Sequence, residues 1–299
     1  MKKESFIDRN AKIIVVLAVL CGAFSGPFGA LISAPSQVIG FWRLLFALPF
    51  FFFIVVLNKE KREELKNVKG KEFLLCMLTG FFLFLHFFSW YSAVKLTNVS
   101  AASCLASFHP LVVLFITLFI YKRKVSWKAI LSIIVALIGG AVIVCSDISA
   151  LATGRLSGNL FALAAGISMG IYFAIGGKVR PKMDGSVYVL LVFFGCFLSF
   201  ALYNLLTGTR LVGYPVKDYL YIFCLAIICQ IGSHAMWNLC MGKVSPLYIS
   251  TWETTDPVFS TLVALIILRQ VPTLYEIVGC IIVVCAILCY NRFERESNV

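Results

Sequence analysis

The sequence predicts an all-α integral membrane protein, with ten transmembrane helices arranged as two inverted five-helix repeats around a central cavity. Three observations support this fold class. Of the 299 residues, 61% are hydrophobic and only 13% are charged, a composition that excludes a soluble globular domain. Apolar windows of about 20 residues, the length that crosses the hydrocarbon layer, recur along the whole chain. A pattern of tryptophan, polar residue and proline occurs twice, 147 positions apart.

The predicted spans leave little chain for a soluble domain. The longest polar connection runs from Asn58 to Glu72, and its mixture of lysines and glutamates is typical of a solvated linker. The ten predicted spans are residues 12–32, 37–57, 73–94, 100–121, 127–146, 157–177, 186–206, 218–241, 246–268 and 273–290.

The basic residues predict the orientation of the chain. With a cytoplasmic N-terminus, twenty of the 26 lysines and arginines lie in cytoplasmic segments, five lie in outer segments, and Arg43 lies within a span. This asymmetry obeys the positive-inside rule. We therefore expect a multi-pass protein of the cell membrane, surrounded by the lipid bilayer, with both termini in the cytoplasm. The net charge of +12 records this orientation and does not indicate a nucleic acid partner.

An internal duplication predicts where the site lies. Sliding SWYSAVKLTNVSAASCLASFHPLVVLFITLFI along the chain by 147 positions aligns Trp90 with Trp237 and His109 with Asp256. Halves of five spans each, residues 1–147 and 148–299, have an odd helix count, so the second half enters the membrane in the opposite sense. Each half places a polar residue and a proline inside a helix. Buried polarity placed twice in this way predicts a site between the halves, near the midplane.

Two GxxxG pairs recur in the first and sixth spans, as Gly22 with Gly26 and Gly166 with Gly170. Glycines four residues apart share one helix face and let two helix backbones approach closely. We expect these faces to pack against other helices. Movement along the same faces, as part of gating, is the alternative.

The ninth span contains TWETTDP, which places Glu253 and Asp256 three residues apart on one helix face. Two carboxylates inside the bilayer cannot both be ionised cheaply. They are therefore candidates for taking a coupling proton or for binding a cationic ammonium group. The structural alternative is a network in which Thr254, Thr255 and one basic partner satisfy both acids.

Arg43 lies about six residues inside the outer end of the second span. An arginine at that depth is costly unless it reaches the headgroups or finds a partner. Its partner is either a substrate carboxylate or an acid such as Glu253.

Further polar and aromatic residues share faces of the third, fourth and eighth spans. His86 and Trp90 are four residues apart on one helix face, and Pro110 frees the backbone carbonyl of Ala106 beside His109. The eighth span places Trp237 and Asn238 in the same polar stretch. The predicted substrate-binding residues are Arg43, His86, Trp90, Tyr91, His109, Trp237, Asn238, Trp252, Glu253 and Asp256, of which Glu253 and Asp256 are also the predicted coupling residues.

Other classes of protein find less support. No HExxH pattern and no spaced Ser/His dyad indicates an enzyme, and none of the eleven cysteines forms a CxxC pair. We therefore expect no catalytic residues, no metal and no cofactor. A phosphate-sugar or nucleotide-sugar exchanger needs several basic groups at the midplane, where only Arg43 is available. A non-transporting membrane scaffold has no need for the two acids of the ninth span.

The duplicated segments AASCLASFHPLVVLFITLFI and ISTWETTDPVFSTLVALIIL, with the following LYEIVGCIIVV helix, resemble the EamA-type exporters of the drug/metabolite transporter superfamily. The resemblance covers nearly the whole chain. It implies a ten-helix bundle of two inverted repeats whose central cavity opens alternately to either side. The chain departs from the family in having Arg269 and Gln270 where a glutamate is common, and in having His109 and Asp256 before its prolines.

The HFFSWY stretch of the third span is similar to the branch of this family that exports aromatic amino acids. The resemblance and the residues together predict a secondary transporter that exports or exchanges a small organic metabolite, an amino acid or a related amine. The residues leave open the coupling ion, the direction of flux and the oligomeric state.

Overall fold

The computed structural model describes residues 6–97, 99–144, 156–269, 271 and 273–297, which form helices with no strand among them. The predicted boundary between the halves, at residues 147 and 148, lies outside these residues, as does Gln270.

The helices follow the predicted spans in chain order. We number them α1 to α10, with letters for the parts of a broken helix: Phe6–Gly22 (α1a), Ser25–Leu31 (α1b), Ser36–Leu57 (α2), Gly70–Leu96 (α3), Val99–Ala106 (α4a), His109–Phe115 (α4b), Trp127–Val144 (α5), Leu156–Val179 (α6), Gly185–Leu206 (α7), Val216–Cys224 (α8a), Met236–Cys240 (α8b), Pro246–Glu253 (α9a), Asp256–Leu268 (α9b) and Leu274–Ser297 (α10). A linker helix, Lys59–Lys66, lies between α2 and α3. π-helical stretches, Ile116–Ile120 and Leu225–Ala235, follow α4b and join α8a to α8b.

Among the described residues, six helices are long and apolar enough to cross a membrane: Arg9–Leu31, Ser36–Leu57, Gly70–Leu96, Leu156–Lys182, Gly185–Leu206 and Val216–Cys240. Three shorter apolar helices are His109–Ile120, Trp127–Val142 and Ile277–Tyr290. These findings confirm an all-helical protein with multiple membrane-spanning helices. The count of ten crossings stays a prediction.

The breaks in α4 and α9 repeat the internal duplication residue by residue. α4a ends at Ala106 and α4b begins at His109, while α9a ends at Glu253 and α9b begins at Asp256. Each restarted helix has a proline as its second residue, which is tolerated there because the first turn of a helix needs no N–H donor. A proline inside an apolar stretch therefore decides where each helix is interrupted.

Residues with positive φ mark the ends of both broken helices. Lys122 has φ 51° and Arg269 has φ 54°. Among the described residues, they are the non-glycine residues whose φ is positive. They lie 147 positions apart, so the duplication extends to the backbone conformation at the end of α4 and of α9.

Close backbone contacts hold the centre of the bundle together. α3 packs along α6 and α7, α1 packs along α8, and α5 packs along α10. A Cβ atom on Gly80 of α3 would lie 2.4 Å from the backbone oxygen of Val192 of α7, and one on Gly195 would lie 3.1 Å from the Cα of Met77. Since helices approach this closely only where side chains are absent, α7 is a central packing element.

The GxxxG faces pack as predicted. A Cβ on Gly166 would lie 2.6 Å from the backbone oxygen of Ala106, and one on Gly170 would lie 2.5 Å from the Cβ of Val112. The α6 glycines thus lie against both parts of α4, across its break. Gly22 of α1 in turn lies against Ser233, whose Oγ would be 3.0 Å from an added Cβ.

One end of the bundle, which we call the far end, is closed by buried hydrogen bonds. The carboxylate oxygen Oδ2 of Asp218, fully buried in α8a, accepts from the backbone N–H of Ser33 at 3.0 Å and of Ala34 at 2.9 Å. It also accepts from the Ser33 hydroxyl at 2.6 Å. Lys95, at the end of α3, donates to the carbonyls of Ile32 and Ala34. This far-end cap joins the loop after α1 to α3 and α8.

At the opposite end, the linker helix contacts the start of α7. Its first turn is capped by the side chain of Asn58, which accepts from the Lys61 N–H at 3.1 Å. The Lys61 ammonium lies 3.4 Å from the Asp184 carboxylate and donates to the Ser186 hydroxyl at 2.7 Å. The predicted solvated linker is therefore helical and attached to the start of α7.

Candidate functional site

A small cavity lies at the centre of the bundle, where the breaks of α4 and α9 meet α1, α3 and α8. Its volume is about 50 Å³, well below the 300–1,000 Å³ typical of ligand pockets. At this size it has room for a few water molecules. Its lining residues are Gly22, Ser25, His86, Trp90, Ser103, Ala106, Ser107, His109, His234, Trp237, Glu253 and Asp256.

A contact between the two broken helices lies at this cavity. The imidazole Nε2 of His109, the first residue of α4b, lies 3.4 Å from the carboxyl Oε2 of Glu253, the last residue of α9a. The two side chains are 4% and 13% exposed. In so dry a place a charge is strongly destabilising without a partner, so each of these groups can serve as the partner of a charge on the other.

The threonine hydroxyls at the break of α9 donate to backbone carbonyls and not to the two acids. Thr254 Oγ1 donates to the carbonyl of Thr251 at 2.6 Å, and Thr255 Oγ1 donates to the carbonyl of Trp252 at 2.7 Å. A hydroxyl has one hydrogen to donate. The network in which both threonines satisfy the two carboxylates is therefore wrong, and the basic partner of Glu253 is His109.

Two histidines from α3 and α8 extend the polar lining. The imidazole Nδ1 of His86 donates to the backbone carbonyl of Ala165 in α6 at 3.0 Å, which fixes the orientation of its ring. The His234 ring lies 6.0 Å from the His86 ring and 5.0 Å from the Trp237 ring, measured between centroids. Its Nδ1 is buried without a hydrogen-bond partner. The lining thus combines imidazole groups with an aromatic wall.

The two tryptophans direct their indole N–H groups into hydrogen bonds with α1. Trp90 Nε1 donates to the Ser25 hydroxyl at 3.2 Å, and Trp237 Nε1 donates to the carbonyl of Val15 at 3.4 Å. Because a buried indole N–H is normally bonded, these contacts fix both rings as walls of the cavity.

Arg43 is fully buried behind the cavity wall. Its guanidinium carbon lies 4.2 Å from the centroid of the Phe87 ring, and Nη1 donates to the Tyr91 hydroxyl at 2.6 Å. Its Nε and Nη2 atoms are buried without a hydrogen-bond partner. The basic side chain beside the Glu253 carboxyl is His109, so the alternative of an Arg43 partnership with Glu253 is not what the structure contains. The Arg43 guanidinium is also too deeply buried to reach the lipid headgroups.

Six of the ten predicted site residues line the cavity, namely His86, Trp90, His109, Trp237, Glu253 and Asp256. The other four, Arg43, Tyr91, Asn238 and Trp252, lie outside its lining. Tyr91 and Asn238 are fully buried, and Trp252 packs 6.4 Å from the Tyr248 ring. A role in substrate binding for any of the ten stays a prediction.

The lining includes polar residues that were not predicted. His234 lies three residues before Trp237, and this i, i+3 spacing was the available signal. Ser25 reaches the cavity because α1 breaks between Gly22 and Ser25, and the available signal for this break was Pro27, which should kink the first span near its outer end. Ser103 and Ser107 line the cavity with His109 and are four residues apart, on the other side of the break of α4.

A second and larger cavity opens at the end of the bundle opposite the far-end cap. Its volume is about 700 Å³, and we call it the basic vestibule because five cationic side chains line it. Its innermost lining residue in α4, Val113, lies one helical turn from the central cavity, four residues after His109. The basic lining residues are Lys12, Arg123, Lys124, Lys178 and Lys243.

Among the described residues, no group of three or more His, Cys, Asp or Glu side chains is arranged to hold a metal ion. Among the cysteines that the structure describes, none forms a disulfide.

Comparison with known proteins yields a family and a fold. The EamA-like transporter family matches residues 10–145 and, a second time, residues 156–292. No curated protein matches the chain. One solved crystal structure has 16% sequence identity and a TM-score of 0.77, over 97% of this chain and 99% of that chain. At this identity the likeness shows the fold alone. The two family matches each lie within one predicted half and together span most of the sequence, so the chain belongs to the EamA-like transporter family, within the drug/metabolite transporter superfamily.

Proposed function

We propose that this protein is a secondary transporter that exports or exchanges an amino acid or a related amine by alternating access. Membership of the EamA-like transporter family makes it a membrane transporter of small solutes. The observation that carries the finer proposal is the central cavity, where Glu253 and Asp256 face imidazole and indole rings at the breaks of α4 and α9.

The chemistry of the cavity suits an ammonium group. Carboxylates in a dry site attract a cation strongly, since the low dielectric weakens screening. The faces of Trp90 and Trp237 add a cation–π attraction and an apolar surface for a side chain. Behind the cavity wall, the Nε and Nη2 atoms of Arg43 have no hydrogen-bond partners. These two donors suit the carboxylate of a substrate that passes Phe87.

The size of the cavity supports alternating access. About 50 Å³ is too small for an amino acid, so binding requires movement of the wall. The far-end cap closes one end of the bundle, and the basic vestibule opens at the other. In the proposed cycle this conformation is accessible from the basic end, which the positive-inside rule assigns to the cytoplasm.

The packing supports two inverted five-helix repeats with ten crossings. In two five-helix repeats, each helix of the first corresponds to the helix five numbers later in the second. This correspondence exchanges the pair α1–α8 with the pair α6–α3, and both pairs are in contact. The same operation maps the pair α5–α10 and the pair α2–α7 onto themselves, and these pairs are also in contact. Such a pattern is expected of two repeats related by a pseudo-twofold axis. We propose residues 1–147 and 148–299 as the repeats.

Glu253 and Asp256 are the proposed coupling residues. They flank the break of α9, and His109 lies 3.4 Å from Glu253. When a bound ammonium or a proton neutralises Glu253, the attraction between α9a and α4b weakens. Occupancy of the site would in this way change the contact between the two broken helices.

The test is uptake of labelled amino acids and amines into vesicles containing the purified protein, after a thermal-shift screen has selected the solutes that stabilise it. Glu253→Gln and Asp256→Asn should each lower the uptake rate and flatten its pH dependence. Glu60→Gln, on the exposed linker helix, is the matched control and should transport as the wild type does. Unchanged rate and pH dependence in both cavity variants would falsify the proposal.

A further inference from the structure

The basic vestibule has an unusual balance of charge. Its five cationic side chains come from α1, the loop after α4, the last turn of α6 and the turn between α8 and α9. Among the described residues that line it, there is no aspartate or glutamate. Its volume of about 700 Å³ lies within the range of small-molecule sites.

Aromatic rings hold two of these cations at the wall. The Lys178 ammonium lies 4.0 Å from the centroid of the Tyr121 ring, and the Lys12 ammonium lies 5.3 Å from that of Tyr248. Cation–π contacts of this kind fix the position of an ammonium group without neutralising its charge. The positive charge therefore remains available to a molecule in the vestibule.

The start of α9 adds to the positive potential. Ser245 and Pro246, at the start of α9a, line the vestibule, and the Ser245 hydroxyl accepts from the Tyr248 N–H at 3.0 Å. Ser126 immediately precedes α5 and also lines it. The N-terminal end of a helix carries partial positive charge, so two helix ends reinforce the five side chains.

The orientation of the chain does not account for this arrangement. The positive-inside rule counts lysines and arginines and is almost indifferent to acids, and the linker helix at the same end mixes its lysines with Glu60, Glu63 and Glu64. In the vestibule, the cations converge on one cavity, and its described lining residues include no aspartate or glutamate. Focusing of like charges in a cleft raises the local concentration of the opposite ion.

We propose that the basic vestibule binds a small anion through its carboxylate or phosphate groups. The anion lies against Arg123, Lys124 and Lys178. If the protein transports as proposed above, a consequence that rests on that function follows: the vestibule attracts solutes with a carboxylate and repels amines that lack one. An amino acid would then approach the cavity with its ammonium group leading, toward Glu253.

The experiment measures thermal unfolding of the full-length protein in neutral detergent, titrated with citrate and with pyrophosphate at constant ionic strength. The variant Arg123→Gln/Lys124→Gln removes two exposed charges that line the vestibule. The matched control, Lys69→Gln/Lys71→Gln, removes two exposed charges, two residues apart, outside the lining. A parallel series uses vesicles of phosphatidylcholine with and without phosphatidylglycerol, which tests a lipid headgroup as the source of the phosphate.

We expect citrate or pyrophosphate to stabilise the wild type and the control equally. In the vestibule variant, the concentration that gives half of the effect should rise about threefold to tenfold. Stabilisation by phosphatidylglycerol alone, lost in the vestibule variant, assigns the same site to a lipid headgroup. The proposal is overturned if neither anion nor anionic lipid stabilises the protein, or if both double variants respond alike.

This readout is independent of transport. If no anion binds, while uptake and its dependence on Glu253 are as proposed, then the vestibule site alone is refuted. Anion binding that depends on Arg123 and Lys124, together with normal uptake by Glu253→Gln and Asp256→Asn, would refute the proposed transport site alone.

Discussion

Ser33 donates two hydrogen bonds to a single carboxylate oxygen of Asp218, one from its backbone N–H at 3.0 Å and one from its hydroxyl at 2.6 Å. The two residues are 185 positions apart and close the far end of the bundle. Hydrogen bonds to an ionised acceptor are about twice as strong as neutral ones, so this contact contributes strongly to the closed far end.

Asp218→Asn should therefore destabilise the protein by about 1–3 kcal/mol, because the uncharged amide accepts more weakly from Ser33 and Ala34. Ser33→Ala removes one of the three bonds and should cost less. The measurement is chemical or thermal unfolding in detergent, with Glu60→Gln as an exposed control. Equal stability of Asp218→Asn and the control would contradict this account of the cap.

Gly166 should not tolerate a side chain. In Gly166→Ala the new Cβ would lie 2.6 Å from the Ala106 carbonyl oxygen, a backbone atom at the break of α4. Relieving this overlap requires α6 to move away from α4, at a cost of about 1–3 kcal/mol. Thermal unfolding and uptake should both be impaired.

The matched control is Gly70→Ala at the start of α3, where an added Cβ meets nothing within 4 Å. It should leave stability unchanged or raise it slightly, because alanine favours a helix. If Gly166→Ala is as stable as Gly70→Ala, the close contact between α6 and α4 is not required.

His109 and Glu253 should be energetically coupled. Unfolding free energies of His109→Ala, Glu253→Ala and the double variant form a cycle, and we expect a coupling energy of about 1–3 kcal/mol. Either substitution alone leaves the other polar group buried without its partner. The second substitution should therefore lower the free energy of unfolding by less than the first.

Ser33 with Glu253 is the control pair for this cycle. Ser33 bonds to Asp218 in the far-end cap and is outside the lining of the central cavity, so its substitution should be additive with that of Glu253 within about 0.5 kcal/mol. Additivity in the His109 pair as well would show that the 3.4 Å contact carries no energy.

The breaks in α4 and α9 could be predicted because their signal is local. A proline and a polar residue inside an apolar stretch stand out in any membrane helix, and the offset of 147 positions linked the two copies. His109, Glu253 and Asp256 therefore all lie at the central cavity, as their positions indicated.

The partners of individual side chains could not be predicted in the same way. Whether Arg43 faces Glu253 or Phe87 depends on the rotation of α2 about its axis, and a nearly uniform apolar helix carries little information on that angle. The close approach of α3 and α7 depends on Gly80 and Gly195, single glycines on different helices that form no spacing pattern. The π-helical stretch in α8 likewise has no signature in residue type.

The contact between His109 and Glu253 also bears on the difference between the two duplicated segments. At the break, the first copy carries Ala106 and His109 where the second carries Glu253 and Asp256. Two first copies would bring imidazoles together with no carboxyl group, and two second copies would bring four carboxyl groups into one dry space. A basic and an acidic group therefore meet at the centre only because the two copies differ.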